Sequence, residues 1–476
     1  MSPSPTAMIA AFILSVILMT FLYVKYGKGD AIIRLPPGPK ALPILGNVHQ
    51  LPLEYQQQTL ASWGKIYGDV IFAKFFQTPA LVLNSRNAAE DLLEKKSAKY
   101  SDRPRFIFMG WDSVLNNLSY GERFRKHRKW IQDAFQAKPA LMSYRPLQRR
   151  ETYTLLLGLM NRPADVQEHL RRWAAAMIME ITYGHRVTSL HDKKPRLDLV
   201  DFFPILKNLP TWMPGAGFKR QAFEVRRLVR TLLDTPFEMV KDAMLAGVAL
   251  PSFTATLLEE ALTIGGPSAA EEEDIKGAAG VVYAAGTDTT VTALSTFVLA
   301  MVLHPKIYQK AREEIDRVVG HGRLPDFDDR ESLPYLECVI KEVFRWNCPV
   351  PLGVPHRLMS VDNYRGYEIP AGSMIIPNIW GMMQDAELYP EPVFGFGRRI
   401  CPGQEFAYSS IWLAAASIIA TLDICKSRDE FGNEVTPAAS FISGFVSHPT
   451  PFTCEFRPRS EETYDLVAQM SAHLDY

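Results

Sequence analysis

Cysteine is scarce in this chain and no sign of charge prevails. Five cysteines stand among 476 residues: Cys338, Cys348, Cys401, Cys425 and Cys454. No pair has the C-x-x-C spacing of a zinc or redox site, and the odd count at low density argues against a disulfide framework and for a reducing compartment. Lysine plus arginine number 52 and aspartate plus glutamate also 52. No net field therefore draws the protein to nucleic acid or to a strongly charged partner. No Ser/Gly-rich linker, internal repeat or low-complexity tract divides the chain. With 47% hydrophobic residues, one large domain with a substantial core behind a short N-terminal segment is the simplest organisation. Gly395-Phe396-Gly397 does not complete a G-x-G-x-x-G motif and no strand precedes it, so no nicotinamide or flavin site is visible.

Long apolar runs are also few. Residues 7–24 form an 18-residue run without charge, near the lower limit of roughly 17–25 residues for a membrane-spanning helix. Lys25 and Lys28 follow it, which places the downstream domain in the cytosol. A cleaved signal peptide would need a basic segment before the run and a small-x-small site after it, and both are wanting. The expectation is a single-pass anchor over residues 1–30 in the endoplasmic reticulum membrane. Leu35-Pro36-Pro37-Gly38-Pro39 follows as a stiff connector. A second run, 277–303, is interrupted by Thr287-Asp288-Thr289-Thr290. A carboxylate at a bilayer centre is costly, whereas a helix apolar all round can cross a large soluble core. Pro267, Ser268 and the acidic residues 271–274 mark its start. The remaining pattern is mostly helical, with a hairpin over 70–75 and 80–84 and a short strand region between about 354 and 380.

Most chemistry is concentrated in Phe394-Gly395-Phe396-Gly397-Arg398-Arg399-Ile400-Cys401-Pro402-Gly403. Glycines permit unusual backbone geometry, so N–H groups can face the sulfur. The apolar run 411–416 implies a helix starting just after Cys401, and its N-terminus favours a thiolate. Phe394 would shield the sulfur. The alternative is a turn holding an inert cysteine. On the central helix, Ala285-Gly286-Thr287-Asp288-Thr289-Thr290 combines small residues, which leave room for a ligand, with an acid next to an alcohol, a short proton relay. Thr289 can bond back to a carbonyl one turn earlier. Alternatively these are a few satisfied polar groups.

The cysteine loop resembles the haem-binding segment of cytochromes P450, F-x-x-G-x-R-x-C-x-G, matched at Phe394, Gly397, Arg399, Cys401 and Gly403. Three further segments resemble that family in the same order. Gly121 to Lys129 is similar to its W-x-x-x-R helix, with Phe124 in place of tryptophan. Residues 285–290 resemble the oxygen-activating segment, and Glu342-Val343-Phe344-Arg345 the E-x-x-R brace. The likeness covers nearly all the chain after the anchor and lies nearest to fungal microsomal enzymes of secondary metabolism.

The resemblance implies a mainly α fold with a small β-sheet over residues 31–476, and a haem b whose iron is held by Cys401. It implies propionates bound by Arg128, Arg399 and His356, and protons delivered by Asp288 and Thr289. Electrons would come from NADPH through a separate cytochrome P450 reductase, and the partners would be a small lipophilic substrate and the membrane. Phe203, Leu206, Trp212, Met213 and Phe218 would touch the membrane or line substrate access, or else belong to the core. One departure stands out. Residues 385–393 run straight into Phe394, so the family's meander, whose arginine completes the brace, is missing. The expectation is a buried Glu342–Arg345 pair left partly unpaired, at roughly 3–5 kcal/mol, and weakened haem retention.

Overall fold

The computed structural model describes residues 15, 16, 18–20, 34–104, 110–187, 217–385 and 391–474. Most of the proposed anchor, the apolar stretch 203–216 and residues 386–390 lie outside them. The main helices are α1 (Gln56–Tyr67), α2 (Glu122–Phe135), α3 (Arg145–Asn161), α4 (Val166–Tyr183), α5 (Gly217–Leu245), α6 (Phe253–Thr263), α7 (Ala269–Leu303), α8 (Pro305–Val318), α9 (Pro334–Trp346), α10 (Gln404–Thr421) and α11 (Glu461–Leu474). The strands are β1 (Val70–Phe75), β2 (Thr78–Leu83), β3 (His356–Arg357), β4 (Asp362–Tyr364), β5 (Tyr367–Ile369), β6 (Met374–Pro377), β7 (Leu422–Arg428), β8 (Glu434–Val435) and β9 (Cys454–Pro458).

The helix α7 crosses the core. Ser268 caps it by accepting from the Glu271 N–H, and Glu271 and Glu272 occupy its first turn at the positive end of the dipole. Among the described residues it is the one helix long and apolar enough to span a membrane, yet 72% of its apolar window is buried inside the protein. It packs chiefly on α4, where Trp173 and Phe297 are both fully buried. The missing Cβ of Gly286 matters here. A methyl would lie 2.9 Å from Ile178 Cδ1 of α4. Gly286 therefore permits close packing of α7 on α4.

The largest sheet has the order β1-β2-β6-β3. β1 and β2 form the expected hairpin, with the second strand starting two residues earlier than expected. Phe76, at φ 53°, makes the turn, and Thr78 and Pro79 already pair with Phe75 and Lys74. β6 adds parallel to β2, and β3 antiparallel to β6 with His356 opposite Ile375. The proline-rich connector is tied to this sheet: the Phe72 N–H donates to the Pro37 carbonyl at 2.9 Å. Position 38 must be glycine, because a Cβ would fall 1.9 Å from the Phe72 oxygen.

Candidate active site

The loop carrying Cys401 leaves the coil before it through one 3₁₀ turn, Gly397–Arg399, and feeds directly into α10. Gly397 has φ +52°, and a Cβ there would sit 2.1 Å from the Leu93 carbonyl. No other residue fits. Gly403 is different: its φ is −95° and its Cβ position is open. The geometric demand falls on Gly397, while Gly403 contributes its N–H, which faces the Cys401 sulfur. The Cys401 N–H donates to the Phe394 carbonyl at 2.8 Å, so the Phe394 backbone closes the loop. Its ring packs tilted against Phe344 of α9, with centroids 5.3 Å apart and planes at 57°. Burial pushes the Cys401 thiol up, and the Gly403 N–H and the Arg128 guanidinium oppose it without prevailing. Cys348 and Cys454 are buried with thiols pushed up to about 12, whereas Cys338 is exposed.

Cations converge behind this loop. Arg128, buried on α2, donates to the Ile400 carbonyl. Arg399 is buried and donates to the carbonyls of Ser101 at 2.8 Å, Leu115 at 3.1 Å and Leu118 at 2.7 Å. Its guanidinium lies 3.8 Å over the Phe124 ring, a contact that gives the phenylalanine a place where the family pattern has tryptophan. Arg103, also buried, donates to Pro355 O at 2.8 Å and to Val354 O, and its Nε has no partner. Burial lowers Arg399 to about 10 and Arg103 well below its usual range, and Arg103 and Arg399 repel each other. The carboxylate acting on both is Asp102, which already binds Arg357 at 2.9 Å. A buried surplus of positive charge is costly unless an anion joins it. The donor set therefore fits a group bearing carboxylates.

His356 does not join as expected. It lies on β3, fully enclosed, with Nδ1 2.8 Å from the Tyr100 carbonyl. A carbonyl only accepts, so Nδ1 carries the proton. Burial and Arg103 hold the ring well below its usual pKa, leaving a neutral imidazole with an acceptor Nε2. The buried cation beside it is Arg103. Sequence reasoning missed it because Ser101-Asp102-Arg103-Pro104 looks like any surface turn. Its burial follows only once the Asp102–Arg357 bridge pins the segment beside β3.

The second wall belongs to α7. The helix is buried over 277–280 and again over 290–302, but its intervening stretch, 281–289, is half-buried, with Ala285 and Asp288 exposed. The middle of this core helix is therefore left uncovered by its neighbours. Thr289 Oγ1 donates to the Ala285 carbonyl at 2.7 Å, the back-bond expected from the sequence. Asp288 faces His448, with Nε2 3.3 Å from Oδ1. The sequence gives no warning of His448, which a loop brings in from 160 residues further along the chain.

The cytochrome P450 family model matches residues 36–393. The chain is 42% identical over 501 residues to cytochrome P450 monooxygenase 176 of Postia placenta, covering 96% of each chain. It is 45% identical over 480 residues to monooxygenase 136 of the same fungus, covering 92% of this chain and 91% of the relative. It is 40% identical over 489 residues to claR of Ampulloclitocybe clavipes, covering 93% and 90%. The chain belongs to the cytochrome P450 monooxygenase family.

Membership implies a haem iron, a reductase that supplies electrons and a small-molecule substrate. The P450 match stops at residue 393, immediately before the cysteine loop. The alignment with the first Postia protein spans 501 positions against 476 residues here, so somewhere along it the relative has residues that this P450 lacks. The brace also departs from expectation. Arg345 Nε donates to Glu342 Oε2 at 2.6 Å and Nη2 to Oε1 at 2.7 Å, yet the Glu342 side chain is 55% exposed. The pair is intact, two-pronged and at the surface, not a buried charge left uncompensated.

Proposed function

We propose that this chain is a membrane-anchored haem-thiolate monooxygenase. It inserts one oxygen atom of O₂ into a lipophilic or aromatic small molecule in secondary-metabolite biosynthesis. The observation that carries this reading is the buried cation surplus of Arg103, Arg128 and Arg399 around the Cys401 loop. Cys401 Sγ is the iron ligand, and coordination would ionise a thiol that burial otherwise keeps protonated. Arg128, Arg399 and Arg103 hold the propionates, with His356 packed behind them. Haem b bound there supplies an oxygen-activating iron, whose thiolate ligand favours cleavage of the O–O bond. Asp288 and Thr289 move protons along the uncovered stretch of α7. Electrons come from NADPH through a separate reductase at the endoplasmic reticulum, where residues 7–24 anchor the chain and Lys25 and Lys28 keep the domain cytosolic.

The test is co-expression with a fungal NADPH-dependent reductase under ¹⁸O₂, followed by a search of lipophilic extracts for singly labelled products. The products should vanish in Cys401→Ala. Labelled products that persist in that variant contradict the assignment.

The junction at residue 393 favours a second reading, a haem-poor form without turnover. Inserting the meander of a relative between Val393 and Phe394 separates the two. A large gain in bound haem on insertion supports the second reading, and equal haem content before and after supports the first.

A further inference from the structure

Asp288 does not stand alone on the uncovered stretch of α7. His448 places Nε2 3.3 Å from Asp288 Oδ1 and Nδ1 2.8 Å from Thr292 Oγ1. The loop that carries the ring is fixed on several sides. The Ile442 N–H donates to the His448 carbonyl at 2.7 Å, and the Ser447 N–H to the Pro349 carbonyl at 2.9 Å. The Asn347 amide, buried at the end of α9, donates to the Ser447 carbonyl at 2.7 Å and to Thr296 Oγ1 at 3.1 Å. The Ser447 hydroxyl donates back to Asn347 Oδ1 at 3.0 Å. Thr292, Thr296, Asn347 and Ser447 are all buried. A polar seam from α9 through α7 thus aims one imidazole at one carboxylate.

Thr292 has a single hydroxyl proton, shared between two acceptors, the Asp288 carbonyl at 2.9 Å and His448 Nδ1 at 2.8 Å. When it goes to the carbonyl, Nδ1 donates to the Thr292 oxygen; when it goes to Nδ1, the neutral ring carries its own proton on Nε2. A ring protonated on Nδ1 alone would turn a bare Nε2 lone pair toward Asp288 Oδ1. Two lone pairs repel. The contact is attractive only with a proton in it, carried by Nε2 against carboxylate or by carboxylic acid against Nε2.

We propose that His448 and Asp288 hold one shared proton between Nε2 and Oδ1, and that His448 is the positioning residue that keeps Asp288 charged with it. This rests on the reading of Asp288 as a proton relay. A proton leaving on the Asp288 side is replaced at His448 from water, which reaches both side chains at exposures of 53% and 33%. The pair returns to one proton, with no other reactant consumed.

Two measurements test this on the full-length protein. With ¹⁵N-labelled histidine, NMR should show a proton on or shared by Nε2 of His448, and its signature should change in Asp288→Asn. A bare Nε2 in the wild type, with no proton shared with Asp288, overturns the proposal whatever the enzyme does. The second measurement is the fraction of consumed O₂ released as hydrogen peroxide with the reductase, which requires no known substrate. His448→Asn keeps a donor near Thr292 but loses the group facing Asp288, and should raise that fraction several-fold. His448→Gln keeps a polar nitrogen near Nε2 and should raise it less. If Asp288→Asn raises peroxide release and His448→Asn does not, the role of His448 alone is overturned. If Asp288→Asn changes nothing, the relay reading fails and this inference with it.

Discussion

Arg128 on α2 donates a hydrogen bond to the carbonyl of Ile400, the residue immediately before Cys401. A helix residue 272 positions upstream of Ile400 thus holds the cysteine loop by its backbone and places a cation beside the sulfur. Arg128→Ala leaves a buried carbonyl without its donor, at a cost of about 1–3 kcal/mol. The variant should unfold at lower urea and bind less haem per chain. Arg128→Lys, which keeps the charge but not the planar fork, should recover only part of the loss.

Gly397 and Gly403 flank the same cysteine but answer to different constraints. Gly397→Ala meets both a left-handed φ and the Leu93 carbonyl, and should destabilise the protein by about 2 kcal/mol or more. Gly403→Ala meets ordinary φ and open space, and its effect should stay within about 0.5 kcal/mol. Thermal unfolding of the two variants side by side checks this. Equal losses would contradict it.

Asp274 ties α7 to α2. Its Oδ1 accepts from Arg123 Nε and lies 3.1 Å from His127 Nε2. Burial alone would raise this carboxyl, but hydrogen bonds and charge from Arg123 and His127 outweigh it and hold the carboxyl below its usual range. The folded pKa is then below the unfolded value of about 3.9. Ionised Asp274 therefore stabilises the fold above about pH 4, and this is lost as pH falls through the depressed folded value. Asp274→Asn should cost about 1–2 kcal/mol at pH 7. In urea titrations at successively lower pH, the gap to wild type should narrow below about pH 4. A gap independent of pH contradicts the assignment.

The surface position of the Glu342–Arg345 pair gives a prediction opposite to the one its motif suggests. An exposed pair is worth about 0–1 kcal/mol, so Glu342→Gln should shift the unfolding midpoint only slightly. Once a relative's meander covers this face, the same substitution should cost several kcal/mol, because it then breaks a buried pair. A large effect in the present chain would show that the pair is buried after all.

What the sequence made legible was local or periodic. The central helix could be read from one apolar run and an acidic first turn, and the hairpin at 70–83 from two β-rich runs. The helix after Cys401 was legible too, since apolar residues resume ten positions later. The misreadings concern what covers a residue. His356 is closed in by Tyr100 and Arg103, and Glu342 is open to solvent. Arg103 and His448 carry no local signal at all. Each takes its place through a long-range pairing, the Asp102–Arg357 bridge for one and the Asn347–Ser447 clasp for the other.

The central claim is that Cys401 ligates a haem iron held by the surrounding arginines. The carbon monoxide difference spectrum of the reduced full-length protein, compared with that of Cys401→Ala, tests it most directly. Ligation by Cys401 predicts the red-shifted band of a thiolate-bound haem in the wild type and its loss in the variant. A folded wild-type protein that shows only a blue-shifted band, or a band that survives in Cys401→Ala, would contradict it.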